Sequence, residues 1–238
     1  DGLEPARMRG SWAGAMGHTQ FMPSTYARAA VDGDGDTRID LWESPWDALA
    51  SGARFLQQLG WQPGLRWGRE VALPEPFDYA LAGLKARRPL ADWAALGLRQ
   101  ANGAALPAAD VSAALLVPAG HQGPAFLVYE NFEVIMGWNR SEYYALSVGH
   151  LADRIAGAGE LRQPVPEQEA LTREDLAIVQ QRLNTVLDAG LDTDGIMGPA
   201  TRRALSRFQQ QVGRIADGFP DAGTLKALAA AGADETRY

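Results

Sequence analysis

The run Asp32-Gly-Asp34-Gly-Asp36 constrains this chain more than any other stretch. Its carboxylates alternate with glycines and would repel one another unless a positive charge sat among them. The alternation has the 1, 3, 5 spacing of an EF-hand-type calcium loop. Gly33 and Gly35 let the backbone curl so that the carboxylates converge. Arg38 falls at position 7, where only a main-chain carbonyl is needed, and apolar Ile39 follows it. Position 12, usually a bidentate Glu, is Glu43, and Asp47 further on is its rival. Thr37 departs from the pattern by standing where Gly is expected. The plain alternative is a solvated Asp-Gly turn; the clustered charge favours a bound calcium ion.

Just upstream, Gly10-Ser-Trp-Ala-Gly-Ala-Met-Gly17 is rich in small residues, and Gln20 and Phe21 follow. No Lys-Ser/Thr follows the glycines, which excludes a phosphate-binding P-loop. Two readings stay open from spacing alone: a backbone that a ligand approaches closely, or a tightly packed loop. Pro23 suits the first turn of a helix, with Ser24 or Thr25 as its cap.

Periodicity predicts a helix over 46–60, a short strand over 70–74, helices over 77–86 and 90–97, and paired strands over 111–117 and 125–129 around a turn at Gly120–Gly123. Trp61, Trp67 and Trp93 read as core aromatics rather than sugar platforms. Ser141 caps a helix whose predicted buried face is Tyr144, Val148, Leu151, Ala152 and Ile155. Glycines, prolines and charges mark a composition break from Gly157 through Pro164 and Pro166, and the linker is set at 161–171. Beyond it, Thr172 opens a helix with Val179 and Leu183 on its apolar face, and Asp194-Gly-Ile-Met-Gly-Pro-Ala-Thr201 is echoed by Asp217-Gly-Phe-Pro-Asp-Ala-Gly-Thr224.

The net charge of −7 argues against a nucleic-acid surface, and the lack of cysteine excludes disulfides and thiolate metal sites. No apolar run is long enough to span a membrane. The opening DGLEPARMRG is not a signal peptide, and the expectation is a mature or clipped fragment.

The run from Gly10 to Ser24, followed by Ala30-Val31-Asp32 and the acidic loop, resembles the B-type lytic murein transglycosylases of bacteria. Residues 172–238 resemble the type 1 peptidoglycan-binding domain, through the doubled Asp-Gly loops and Phe208-Gln209. The resemblance implies a mainly α architecture: a lysozyme-like α+β transglycosylase domain with an EF-hand-like calcium loop over 1–160, a linker over 161–171, and a small three-helix module over 172–238. It implies cleavage of the MurNAc–GlcNAc bond with a 1,6-anhydromuramoyl product. By the same resemblance Ser11, Met16, Gln20, Phe21, Trp138, Asn139 and Tyr144 bind substrate. Asp32, Asp34, Asp36, the Arg38 carbonyl and Asp47 hold calcium, family spacing favouring Asp47 over Glu43. The single acid/base Glu of that chemistry is expected upstream of Asp1. Glu4 is too near the motif, and Glu130, Glu133 and Glu142 match no family position. A monomer acting on glycan strands in a Gram-negative periplasm follows as an expectation. A non-catalytic wall-binding protein lacking the acid is the alternative.

Overall fold

The structure, a computed structural model, describes residues 8–234. In chain order its helices are α1 (Pro23–Ala29), α2 (Pro45–Gln58), α3 (Leu90–Ala95), α4 (Glu130–Trp138), α5 (Glu142–Ile155), α6 (Arg173–Leu187), α7 (Pro199–Gln211) and α8 (Ala222–Asp234). The strands are β1 (Gly68–Ala72), β2 (Arg88–Pro89), β3 (Arg99–Gln100), β4 (Ser112–Leu116) and β5 (Ala125–Val128). Internal packing divides the chain into Asp1–Arg66 with Glu130–His150, and Trp67–Tyr129 with Leu151–Tyr238.

The first unit forms around a small core of Phe21, Ala29, Leu41, Ala48 and Phe55. Pro23 opens α1, but its N-cap is Met22, with no side-chain cap. Ser24 and Thr25 fall inside the first turn and so cannot cap it, contrary to the sequence reading. Ser44 caps α2 by accepting the Asp47 N–H at 3.2 Å. Helices α2 and α4 approach closely at glycines. A Cβ at Gly52 would stand 3.2 Å from the Trp138 ring, and one at Gly137 would stand 3.1 Å from Leu59. Helix α5 starts at its expected cap, with Ser141 Oγ accepting the Tyr144 N–H at 3.2 Å. Its buried residues differ from expectation: Ala145, Leu146 and Gly149 are covered, whereas Val148, Leu151 and Ile155 are exposed. The covered face is thus offset from the apolar stripe of the sequence.

In the second unit the strands form one antiparallel sheet in the order β2-β4-β5-β1-β3. Strands β4 and β5 pair around the predicted turn, with Leu115 opposite Leu127. Trp93 of α3 is fully buried, and its indole N–H donates to the Ala113 carbonyl at 3.0 Å. Trp67 is buried as well. The expected helix over 77–86 is absent. Only a 3-10 turn forms, at Tyr79–Leu81, where Asp78 accepts the Ala80 N–H. The chain then leaves the helical path at Gly83, whose φ is 125° and whose N–H donates to the Leu115 carbonyl at 2.8 Å.

The helical module closes over Val179, Leu183, Ala204, Leu205, Phe208 and Leu228. Thr172 and Asp175 form a reciprocal capping box at the start of α6. The repeated loops are built alike. Buried Gln180 accepts the Gly195 N–H through Oε1 at 2.8 Å, and its Nε2 donates to Asp194, the Ile196 carbonyl and Thr201. Buried Gln209 does the same for Gly218, Asp217, the Phe219 carbonyl and Thr224. Gly195 and Gly218 take φ values of 69° and 70°, and each lies against the main chain of the preceding helix, where a Cβ would strike the carbonyl of Arg173 or Arg202.

Residues 161–171 carry a linker composition, yet their start is tied down. The N–H groups of Arg162 and Gln163 donate to the Glu70 carboxylate at 2.9 and 2.8 Å, and the Gln163 side chain donates to the Gln122 carbonyl at 2.8 Å.

Replacing Gln209 by Leu strands the Gly218 N–H and the groups that receive Nε2. We expect a loss of about 3 kcal/mol, since each buried group left unpaired costs about 1–3 kcal/mol. Urea unfolding of the variant beside the parent measures it. The carboxyls of Asp175 and Asp194 are held below the ordinary range, the first chiefly by the Thr172 N–H and the second chiefly by the Gln180 side chain. A folded pKa below the unfolded one contributes stability above the unfolded value and loses it as pH falls through the folded one. The thermal midpoint should therefore be insensitive to these groups above about pH 4 and should drop as pH is lowered further.

Candidate active site and acidic loop

A cleft of about 790 Å³ opens in the first unit. The loop before α1 supplies His18, Thr19 and Gln20; α2 supplies Ala48, Leu49, Gly52, Ala53 and Leu56; the end of α4 supplies Trp138 and Asn139; α5 supplies Tyr144. The lining thus joins an apolar face of α2 to an indole, amides and a phenol. Burial pushes the Tyr144 hydroxyl above its ordinary pKa, so it stays protonated and can donate as well as accept. Gln20 sits at φ 50°, and its Nε2 donates to the Gly17 carbonyl at 2.8 Å. That bond leaves the amide oxygen uncommitted by it.

Of the residues expected to bind substrate, Gln20, Trp138, Asn139 and Tyr144 line the cleft, and Ser11, Met16 and Phe21 do not. Phe21 is 2% exposed. Its ring packs 5.2 Å from Trp138 and 5.3 Å from Phe55, so it lies under the wall and props the indole. Ser11 Oγ accepts the Ala15 N–H at 3.1 Å. Met16 exchanges main-chain hydrogen bonds with Phe21 at 2.8 and 3.1 Å. Both therefore shape the loop that carries Gln20. Sequence reasoning missed His18, Thr19 and the α2 wall. Thr19 Oγ1 is buried with no hydrogen-bond partner among the described residues. The only sequence signal for it was its place between Gly17 and Gln20.

Among the described residues no carboxylate lines the cleft. Glu130 accepts a hydrogen bond from the Gln62 side chain, and neither Glu133 nor Glu142 is in the lining. Glu4 lies outside the described residues.

In the acidic loop, Asp32, Asp34 and Asp36 each offer a carboxylate oxygen, and these atoms lie within 4.8 Å of one another. The loop organises itself around them. Asp32 accepts the N–H groups of Gly35 and Thr37 at 2.6 and 2.8 Å, Asp36 accepts that of Arg38 at 2.8 Å, and Ser44 Oγ donates to Asp34 at 2.8 Å. The Gly35 N–H is the main reason that the Asp32 carboxyl is held below its ordinary pKa. Thr37, standing in for the expected glycine, adopts φ 72°. An all-oxygen, anionic donor set of this size suits a hard divalent cation.

Asp47 is placed differently. It is 1% exposed, with Oδ1 accepting the Gly33 N–H and Oδ2 the Asp40 N–H, each at 2.7 Å. One turn on, buried Ser51 Oγ accepts the Val31 N–H at 2.9 Å. These α2 side chains hold the loop against the helix that walls the cleft. Glu43 is exposed, its N–H donating to Asp40 at 3.0 Å. Asp47→Ala should lower stability by about 3 kcal/mol, as two charge-assisted hydrogen bonds are lost at about 1.5–3 kcal/mol each. Denaturant unfolding in metal-free buffer separates this cost from any cation effect.

Comparison with known proteins gives a consistent picture. The transglycosylase SLT domain matches residues 1–153, and a peptidoglycan binding domain matches 172–228. The membrane-bound lytic murein transglycosylase B of Escherichia coli is 34% identical over 165 residues, covering 64% of this chain and 41% of the relative. The crystal structure of SltB3 from Pseudomonas aeruginosa, in complex with NAG-anhNAM-pentapeptide, superposes with a TM-score of 0.89 at 46% identity, covering 95% of this chain and 61% of that one. The Escherichia coli lytic transglycosylase Slt35, in complex with calcium, gives a TM-score of 0.52 at 34% identity, over 64% of this chain and 47% of that one. The chain therefore spans 41% and 61% of the lengths of the first two relatives. Over its first 153 residues, the chain belongs to the transglycosylase SLT family.

Proposed function

We propose that the protein of which this chain forms part is a lytic transglycosylase that cleaves the MurNAc–GlcNAc bond of peptidoglycan and releases a 1,6-anhydromuramoyl product. The observation that carries the reading is the cleft itself, where Gln20, Asn139, Tyr144 and Trp138 gather at one opening within a family-matched fold. The amides and phenol supply donors and acceptors for an N-acetyl sugar, and the indole supplies a flat apolar face. Thr19, with its unpartnered hydroxyl, joins them as a substrate contact. The named relatives are transglycosylases, which favours the enzyme over a non-catalytic wall binder.

The reaction needs one group to protonate the glycosidic oxygen and then take the proton of the muramoyl 6-hydroxyl as it closes on C1. Amides do not titrate, and a phenol with a raised pKa is too weak an acid near neutral pH. The family resemblance assigns both roles to a Glu on a helix preceding Ser11. The residues of this chain then bind and orient the sugar beside it. Asp32, Asp34, Asp36 and the Arg38 carbonyl would hold a calcium ion, with Asp47 completing the set through the lone pairs its amide contacts leave open. Its role is structural: it neutralises the loop that α2 anchors. The module over 172–228 holds the protein on the cell wall, raising the local concentration of glycan strands. Among the described residues no helix is long and apolar enough to cross a membrane; the site of action we infer is the periplasm of a Gram-negative bacterium, with the protein acting as a monomer.

Incubation with purified sacculi tests the activity. The protein extended through the Glu-bearing helix should release 1,6-anhydromuropeptides, and residues 1–238 alone should do so at least about 100-fold more slowly, the lower end of what general acid–base catalysis contributes. Equal rates would move the acid into this chain; no anhydro product from the extended protein would refute the proposal. Thr19→Val in the extended protein should raise KM for a soluble glycan about tenfold, the effect of one hydrogen bond of about 1.4 kcal/mol. For the cation, chelator should lower the melting temperature of residues 1–238, and Asp36→Ala should remove that dependence. Melting that ignores chelator would rule the calcium site out.

A further inference from the structure

Two large apolar side chains stand in the open near the start of α2: Trp46 is 66% exposed and Leu49 is 67% exposed. Their spacing puts them together. Trp46, Leu49, Ala53 and Leu56 follow one another at intervals of three, four and three, so they form one stripe along the helix. The last three of these line the cleft. The stripe therefore runs out of the cleft and ends about one turn beyond it, at the indole. Single exposed apolar residues are ordinary on a protein surface, whereas exposed apolar surface continuous with a cleft marks ligand contact.

The turn that carries this indole is firmly tied. Ser44 caps it, Pro45 opens it, and Asp47 is buried in it, accepting the Gly33 and Asp40 N–H groups at 2.7 Å each. Gly33 lies against the main chain of Trp46 itself, where a Cβ would stand 2.4 Å from the Trp46 carbonyl oxygen. A fixed main chain beneath an exposed ring lowers the ordering cost of any contact that the ring makes. We propose that Trp46 is the platform of an outer sugar subsite, on which a pyranose beyond those held in the cleft stacks through its apolar C–H face. The occupant is an N-acetylated pyranose of the same strand, because the stripe is continuous with the cleft and the indole offers a flat apolar surface with one N–H donor. This rests on the sugar-binding role given to the cleft above and extends that role by one subsite.

Calorimetric titration of residues 1–238 with chitotriose and chitohexaose, uniform oligomers of N-acetylglucosamine, tests the subsite. The short oligomer fills the cleft, and the long one also reaches the platform. Trp46→Ala should weaken binding of the long oligomer about tenfold and leave binding of the short one unchanged. Trp46→Phe keeps a flat ring and should recover part of that loss. Both variants should melt with the parent, since the side chain is mostly exposed. A role in packing alone would move both oligomers together and lower the melting temperature. Long-oligomer binding that ignores Trp46→Ala, or a loss shared equally by the two oligomers, overturns the proposal. The outcomes separate it from the broader reading. A parent chain that binds neither oligomer refutes the sugar-binding cleft and the subsite with it, whereas a parent that binds both and is matched by Trp46→Ala refutes the subsite alone.

Discussion

The first unit depends on one buried carboxylate. Asp47 lies on the first turn of α2 and accepts amide N–H groups from both arms of the acidic loop. A charge buried this deeply is tolerable only when hydrogen bonds replace the water it lost. Gly33 and Asp40 supply them. Ser51, a turn later, ties in Val31. The loop, the start of α2 and the wall of the cleft are therefore one mechanical piece. Gly52 lies on the same helix and admits the Trp138 ring, and that ring rests on Phe21 and Phe55. Any charge that settles among Asp32, Asp34 and Asp36 acts on the wall of the cleft through this piece, without lining the cleft itself.

The helical module solves a different problem with a repeated part. It is small, and among the described residues its core is a single cluster centred on Leu183, Leu205, Phe208 and Leu228. Two buried glutamines add a polar framework to it. Each satisfies a loop from within, giving both its amide donors and its oxygen to main-chain and side-chain partners. Full satisfaction of this kind fixes geometry as well as adding stability.

Much of this was legible in the chain. The alternating aspartates, the cap at Thr172, the paired strands over 111–129 and the echo of Asp194 in Asp217 all rest on local chemistry. The cluster of Gln20, Trp138, Asn139 and Tyr144 came from family motif positions, since no spacing rule brings residue 20 to residue 139. Several departures were decided by a distant partner. The helix expected over 77–86 gave way where Gly83 turns out of the helical path and bonds to Leu115 on β4. Phe21 looked like a ligand-facing aromatic because its neighbours are motif residues, but Phe55 and Trp138 take it into the core. In α5 the covered residues are Ala145, Leu146 and Gly149, off the stripe that the apolar periodicity offered. Asp47 was read as a ligand, and its grip on two amides could not be foreseen from its position.

The hydrogen bonds from Arg162 and Gln163 to Glu70 alter what the Pro- and Gly-containing stretch after α5 can do. By composition it is the segment a protease would cut first. Cleavage needs the chain lifted out and drawn through an enzyme's groove in extended form, which exposed, unbonded segments allow at almost no cost. Here the first step would be to peel two amides from one carboxylate. The segment that looks most like a leash is held fast near its start, against Glu70 of β1. Its susceptibility to nicking is set by the lifetime of the Glu70 contact rather than by its prolines and glycines.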